Sequence, residues 1–413
     1  MLTKEQRDQF TEILEELGKT LDISATEHEA VERSYVAVGS WLSRVDSELA
    51  PYEPVISPQG SFRLGTMIKP INENDDLDID LVCELQGKKE SWTQADLKKV
   101  VGDRLKAHKG YEAMLDKEGR RCWTLEYAEA SNYHMDILPS IVCVGYRLQL
   151  EKVFSSLSAS ASDMNSIAIR ITDNKRYNYL NESNPDNWLK SNPFGYAKWF
   201  FNRAEIPSIR LFSAKNSVNP VPSYETNKLP LQRVVQILKR HRDMMFNGAD
   251  DKPISIIITT LAAKAYNKQT NIIDTLRDVI NLMDSPKLIE ERYDAEKGRM
   301  VKWIGNPVND EENFADKWAE NPQKQINFYK WLATVKIDVQ NIVNQKEKGL
   351  QYISESFQRP FGKEIVTKVF SNYGDNLLKR RENGQLKMAA GTGMISEIGR
   401  TTIQQHKPFG KNE

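Results

Sequence analysis

Phe10, Ile13, Leu14, Leu17 and Leu21 recur at three- and four-residue intervals, which predicts an amphipathic helix over Lys4–Leu21. A second helical pattern runs from about residue 27 to about residue 49, and Pro51, Pro54 and Pro58 end it. Beyond them the texture changes to short β-like runs at Leu77–Leu85, Trp123–Tyr127, Tyr133–Leu138 and Ile141–Val144. An α/β region is therefore expected between about residues 50 and 215. From Leu229 onward the period is helical: Leu231–Met245, Ile254–Tyr266, Ile272–Met283, Phe314–Gln345 and Gln358–Lys379 predict a mostly α second domain. Between the two, Leu211–Lys228 is rich in Ser, Asn and Pro and reads as a linker or crossing loop. After Lys387, Gly391, Gly393, Gly399 and Gly410 stand among polar residues, so a flexible, unpacked tail is expected.

A chain of 413 residues has room for two or three hydrophobic cores, and 39% apolar with 28% charged residues is the composition of a folded, rather hydrophilic protein. Lys+Arg and Asp+Glu both number 57, whereas a protein that grips long nucleic acid by counterion release is normally basic. Small nucleotides are the better partners, and no long nucleic acid is required. The densest basic run is Lys239, Arg240, His241 and Arg242. Cys83, Cys122 and Cys143 stand singly, with no paired spacing and no histidine cluster, so they read as reduced thiols and speak against a zinc site. The first 22 residues lack the apolar core of a signal peptide and no run has the length of a membrane span, which predicts a cytoplasmic protein without a membrane partner.

The candidate chemistry lies in Gln59-Gly60-Ser61-Phe62-Arg63-Leu64-Gly65-Thr66, followed by Leu77-Asp78-Ile79-Asp80-Leu81-Val82. Side chains alternate along a strand, so Asp78 and Asp80 point the same way with Cα atoms about 7 Å apart, while Ile79 and Leu81 enter a core. Two like charges at that range raise each other's pKa unless a cation neutralises them. Magnesium takes carboxylate oxygens, water and phosphates, and a pair of Mg2+ ions can activate a hydroxyl and stabilise a leaving pyrophosphate. Such a site wants a third acid, for which Asp136 in Tyr133-His134-Met135-Asp136-Ile137-Leu138-Pro139 is the candidate. Asp76 would share the acidic face by parity, and it reads as a loop residue leading into the strand. Gly60 permits a close backbone approach, and Ser61, opening a helix, offers a hydroxyl and free N–H groups to a triphosphate.

Gly60-Ser61, Asp78-Ile79-Asp80 and Asp136 in a strand ending at Pro139 together resemble the nucleotidyltransferases of the DNA polymerase beta superfamily. Within it the chain is most similar to the cGAS/DncV-like nucleotidyltransferases of bacterial anti-phage signalling, which also look like oligoadenylate synthetase. The resemblance implies an α/β nucleotidyltransferase core, a mixed sheet flanked by helices, with a mostly α-helical second domain and the active site in a cleft between two lobes. On it the chain divides into a helical lead-in packed on the core (residues 1–50), the core (51–215), the helical domain (216–385) and the tail (386–413). It implies a cyclic di- or oligonucleotide synthase using ribonucleoside triphosphates, ATP among them, with two Mg2+ ions that Mn2+ can replace. Asp78, Asp80 and Asp136 would be the catalytic metal ligands, and Gln59, Gly60 and Ser61 would meet the triphosphate.

By the same likeness Lys239 and Ser255 would hold the donor triphosphate, a mobile charge and a helix-opening hydroxyl suited to phosphate. Asp310, in Asn306-Pro307-Val308-Asn309-Asp310-Glu311-Glu312-Asn313-Phe314, corresponds to a loop from which a polar side chain can reach a base. Read plainly, the same residues are the capped start of a helix, and that reading is preferred. Tyr196, Trp199, Phe200 and Phe201 could stack on bases, but their helical spacing favours a core role. The ending Phe409-Gly410-Lys411-Asn412-Glu413 resembles tails joined to a conjugation partner, with a plain terminus the preferred reading. A downstream effector would bind the product only. A template-free linear polymerase, an RNA or protein nucleotidyltransferase and a nucleotide-sensing scaffold are the competing functions.

Overall fold

The computed structural model describes residues 2–71, 77–127, 133–156, 159–205, 218–295, 297–388, 395–396 and 401–402. The chain forms two units, one of residues 23–228 with 305–314, the other of 1–22, 229–304 and 315–413. Its helices are α1 (Lys4–Leu21), α2 (Ala25–Leu42), α3 (Gly60–Leu64), α4 (Gln94–Lys106), α5 (Lys109–Met114), α6 (Tyr146–Ser155) and α7 (Ala161–Ser166). They continue as α8 (Pro193–Ala204), α9 (Pro230–Phe246), α10 (Ser255–Ala265), α11 (Ile272–Leu282), α12 (Pro322–Val343), α13 (Leu350–Phe361) and α14 (Lys363–Glu382). The strands are β1 (Val55–Pro58), β2 (Leu77–Gln86), β3 (Trp123–Tyr127), β4 (Tyr133–Val142), β5 (Ile169–Ile171), β6 (Leu189–Ser191), β7 (Glu290–Asp294), β8 (Arg299–Trp303), β9 (Gly305–Asn306), β10 (Asn309–Asn313), β11 (Lys387–Met388), β12 (Ile395–Ser396) and β13 (Thr401–Thr402).

The first unit is built on a mixed sheet in the order β1-β2-β4-β5-β6, with β3 also paired to β4. β2 and β4 run parallel over ten residues, from Leu77 opposite Tyr133 to Gln86 opposite Val142, and the other pairs are antiparallel. Ile79, Leu81, Cys83 and Leu85 of β2 and Met135 and Ile137 of β4 are fully buried, in one core with Val38 and Leu42 of α2 and Leu97, Val101 and Leu105 of α4. Each such aliphatic side chain contributes about 1.5–3 kcal/mol on burial, and a one-residue slip would turn the whole set outward. The core therefore fixes the register, and the register fixes which side chains stand on the opposite face.

Two expected strands at 133–138 and 141–144 are one, β4, running through Pro139. Pro139 cannot donate to a ladder, and it sits where the second neighbour of β4 changes from β3, paired to residues 133–137, to β5, paired to 140–141. Part of the expected linker is also ordered: Val218 bridges Ile56 of β1, and the Asn219 N–H donates to the Ile56 carbonyl at 2.9 Å. Residues 211–217 lie outside the described residues.

The second unit is helical, as the period predicts, with corrections. Residues 1–22 belong to it, whereas the sequence placed them in a lead-in on the α/β core. The reason is a buried polar knot: Arg233 of α9 donates to Glu15 at 2.9 Å and to Asp22 at 2.8 Å, and Gln236 donates to Asp22 at 2.7 Å. Gly18 leaves the room that the Arg233 side chain fills. The expected helix 358–379 breaks at Gly362, whose φ of 94° separates α13 from α14. A hairpin, β7 with β8, interrupts the helices. In the tail, Lys387–Met388 pairs with Ile395–Ser396 and with Thr401–Thr402, so its backbone finds partners where the composition predicted none. Among the described residues no helix is long and apolar enough to cross a membrane.

Candidate active site

On β2 the face opposite the core carries Asp78, exposed, and Asp80, half-buried, separated by buried Ile79. Asp80 lies directly opposite Asp136 in the parallel ladder. Partners on neighbouring parallel strands point the same way about 4.8 Å apart, so the register delivers the third acid to the same face. Asp76, by contrast, lies outside the described residues.

The Gln59 N–H donates to the Asp80 carbonyl at 2.8 Å, which ties the end of β1 to the middle of β2. The next residue, Gly60, has φ +61°, and a β-carbon there would collide with the Asp80 carboxylate. The close approach expected of this glycine is thus made to the acid itself. Ser61 follows in α3, half-buried, and its carbonyl accepts from the Thr66 N–H at 3.0 Å to close the turn. Phe62 is buried against His28, with ring centroids 5.3 Å apart.

Three neighbours on the acidic face escaped the sequence reading. Thr124 of β3 lies opposite Asp136 and donates its hydroxyl to that carboxylate at 2.5 Å. His134 lies opposite Asp78, with Nε2 4.0 Å from the Glu126 carboxylate on β3. Cys122 is close enough to Asp136 and Asp80 for their charges, added to its burial, to push its thiol up to about 12. The signal for Thr124 and His134 was the two-residue period of β3 and β4, unreadable until the strand pairing is known.

As the side chains stand, no three His, Cys, Asp or Glu among the described residues converge on an ion-sized space. The Asp80 carboxylate lies against Gly60, and that of Asp136 takes the Thr124 hydrogen bond. The donor set, three carboxylates on one solvent-reached face, nevertheless has the oxygen chemistry that suits a hard divalent cation such as Mg2+.

Residues 54–139, which contain Gly60, Ser61 and all three acids, match the nucleotidyltransferase domain model of the cyclic GMP-AMP synthase DncV-like proteins. This segment is a DncV-like nucleotidyltransferase domain. Over nearly its whole length the chain is similar to a protein of Roseivirga ehrenbergii named c-di-GMP synthase, 26% identical over 393 residues that cover 95% of this chain and 94% of the relative. It is also similar to the cyclic dinucleotide synthase CdnG of Bradyrhizobium diazoefficiens, 22% identical over 92% of this chain and 86% of that protein. The structure of CdnG in complex with GTP shares the fold, with a TM-score of 0.62 at 20% identity over 89% of this chain and all of that one.

The remaining candidates lie outside the matched nucleotidyltransferase segment. Lys239 is buried on α9, and Ser255 is the first residue of α10, where it accepts from Arg242 Nη1 at 2.9 Å. Both belong to the helical unit, whereas the acids belong to the sheet unit. Asp310 is exposed within β10, not at a helix start, because Asn309 pairs with Asn306 of β9 and the helix begins only at Pro322. Tyr196, Phe200 and Phe201 are buried, with Tyr196 packed on Trp199 and Phe314 at 5.4 and 6.0 Å, a core arrangement. Residues 409–413 lie outside the described residues.

Proposed function

We propose that this chain is a divalent-metal-dependent cyclic dinucleotide synthase, making a second messenger for anti-phage defence from ribonucleoside triphosphates. The observation that carries the reading is the pairing of Asp80 with Asp136 beside the Gly60–Ser61 turn, inside the segment that matches the nucleotidyltransferase domain. The names of the two full-length relatives support the cyclic product. GTP is the first substrate to test, because one relative is named for c-di-GMP and the CdnG structure holds GTP; ATP is the second.

In this reading Asp78, Asp80 and Asp136 hold two Mg2+ ions, with Mn2+ able to substitute. When bound, the metal neutralises the triphosphate and lowers the pKa of the acceptor hydroxyl. Gly60 lets the backbone carry the donor phosphates close to Asp80, and Ser61 offers its hydroxyl to them. Asp136, steadied by Thr124, faces the acceptor, whose sugar hydroxyl passes its proton by way of the Asp136 carboxylate to water as its oxygen bonds to the donor α-phosphorus. The bond from that phosphorus to the bridging oxygen breaks, and pyrophosphate leaves. Repeating the transfer within the linear intermediate closes the ring. Lys239 and Ser255 are the proposed donor-phosphate contacts of the helical unit, and Asp310 remains a proposed base contact, now from a strand.

Purified protein incubated with GTP, ATP and Mg2+ should yield phosphatase-resistant products identified by mass spectrometry. Linear products with free 3′ ends would instead establish a template-free polymerase, and equal nucleotide binding by wild type and Asp80→Ala without product from either would establish a sensing scaffold.

A further inference from the structure

The face of β2 that carries Asp78 and Asp80 continues past Val82 to a third acid, Glu84, whose surroundings differ. Glu84 is fully buried and accepts a hydrogen bond from Ser57 of β1, while its other carboxylate oxygen has no hydrogen-bond partner among the described residues. Ser57 in turn accepts from Asn219 at 2.8 Å. Arg63 of α3 is also buried; its Nε donates to the Pro58 carbonyl, and its guanidinium lies 5.3 Å from the Phe194 ring of α8. Arg63 and Glu84 attract each other electrostatically inside this shell. The other titratable or charged groups facing Glu84 are Arg147 and Tyr146 of α6, Tyr35 of α2 and its strand neighbour Cys83.

Such a buried charge pair is an expensive way to hold a core, since apolar residues of similar volume usually hold it as well or better. Its placement gives it another use. Arg63 is three residues beyond Gly60 on the same short helix, and Glu84 is four residues beyond Asp80 on the same strand. Arg63 holds Pro58 and Glu84 holds Ser57, so through the last two residues of β1 they tie the element carrying the phosphate-facing turn to the element carrying the acids, one helical turn behind the point where Gly60 meets Asp80. We propose that Arg63 and Glu84 are positioning residues that set where the Gly60–Ser61 turn stands against Asp80 for nucleotide binding. This rests on the function proposed above, but the latch itself is a statement about α3 and β2 and can be tested without turnover.

The latch has a pH signature. Burial, outweighing Ser57, Arg63 and Arg147, holds the Glu84 carboxyl up at about 7. Glu84 thus balances Arg63 with a full charge only above neutrality. A carboxyl raised in the folded state adds stability that is fully present below its unfolded value and is lost as pH rises through about 7. Glu84→Gln, which cannot ionise, should therefore be at least as stable as wild type at pH 8 while losing the latch.

Hydrogen–deuterium exchange at pH 8 should show the amides of residues 60–65 exchanging at least about fivefold faster in Glu84→Gln than in wild type, with β3 and β4 unchanged. In turnover assays the same variant should raise the KM for GTP about tenfold and change kcat less than about threefold, with the wild-type advantage in kcat/KM shrinking towards one at pH 6. Arg63→Lys, which keeps the charge, should recover most of what Arg63→Met loses; if Arg63→Met does not fold, Glu84→Gln and Arg63→Lys carry the comparison. Exchange in residues 60–65 that stays within twofold of wild type, or that rises equally across the sheet, overturns the latch. If wild type forms no product from any nucleotide the proposed function fails, and the exchange result still decides the latch.

Discussion

Gly60 combines two demands that no other residue meets, a left-handed backbone and an empty space against a carboxylate. Gly60→Ala costs about 1–2 kcal/mol in backbone strain alone and also forces the Asp80 side chain to move. Product formation should fall at least about a hundredfold, or roughly 3 kcal/mol of transition-state stabilisation, while circular dichroism stays native. Thr124→Val removes a hydrogen bond to a half-exposed carboxylate that water can partly replace, so a loss of about 1 kcal/mol, fivefold in kcat, is expected. The raised pKa of Cys122 keeps it a thiol at pH 8, and Cys83 is buried. Alkylation followed by mass spectrometry should therefore label exposed Cys143 first. Asp78 and Asp80 were legible because strand alternation alone puts them on one face. Asp136 needed a family likeness, since its neighbour on β2 is 56 positions away in sequence and only pairing brings them together. Thr124 and His134 were illegible for the same reason.

Elements whose burial follows a simple period were legible nearly to the residue, β3 and α1 among them. Where a local rule met a tertiary contact, the contact won. Asn309–Asn313 is all amide and acid, poor strand material on propensity, yet it pairs with β9. Pro139 reads as a strand end and instead sits inside β4 where the neighbour changes. The first helix read as a lead-in packed on the α/β core, but Arg233 of the helical unit supplies the partners for Glu15 and Asp22. Arg233→Met leaves the buried Asp22 carboxylate without its counter-charge and should lower stability by about 3 kcal/mol, measured as a reduced urea midpoint with unchanged slope.

For the whole molecule, equal numbers of acidic and basic residues favour small charged substrates over a polyanionic track. Long DNA added to the reaction should leave the rate of product formation unchanged, whereas excess EDTA should abolish it and Mg2+ restore it. The division into an α/β part and a helical part was legible from period alone. That each part is discontinuous in sequence was not, because a hydrophobic pattern reports which face is buried, not against what.

Residues 305–314 leave the helical run to join the sheet unit, and the first 22 residues join the helical one. During synthesis, then, neither unit has all its pieces when the sheet strands emerge: the sheet unit waits for Phe314, and α1 waits for α9 to appear more than two hundred residues later. A chain cut at Lys228 would yield two fragments each missing a piece that the other carries. Such fragments should be soluble and native-like only when produced together, a complementation that a gel-filtration run can read directly.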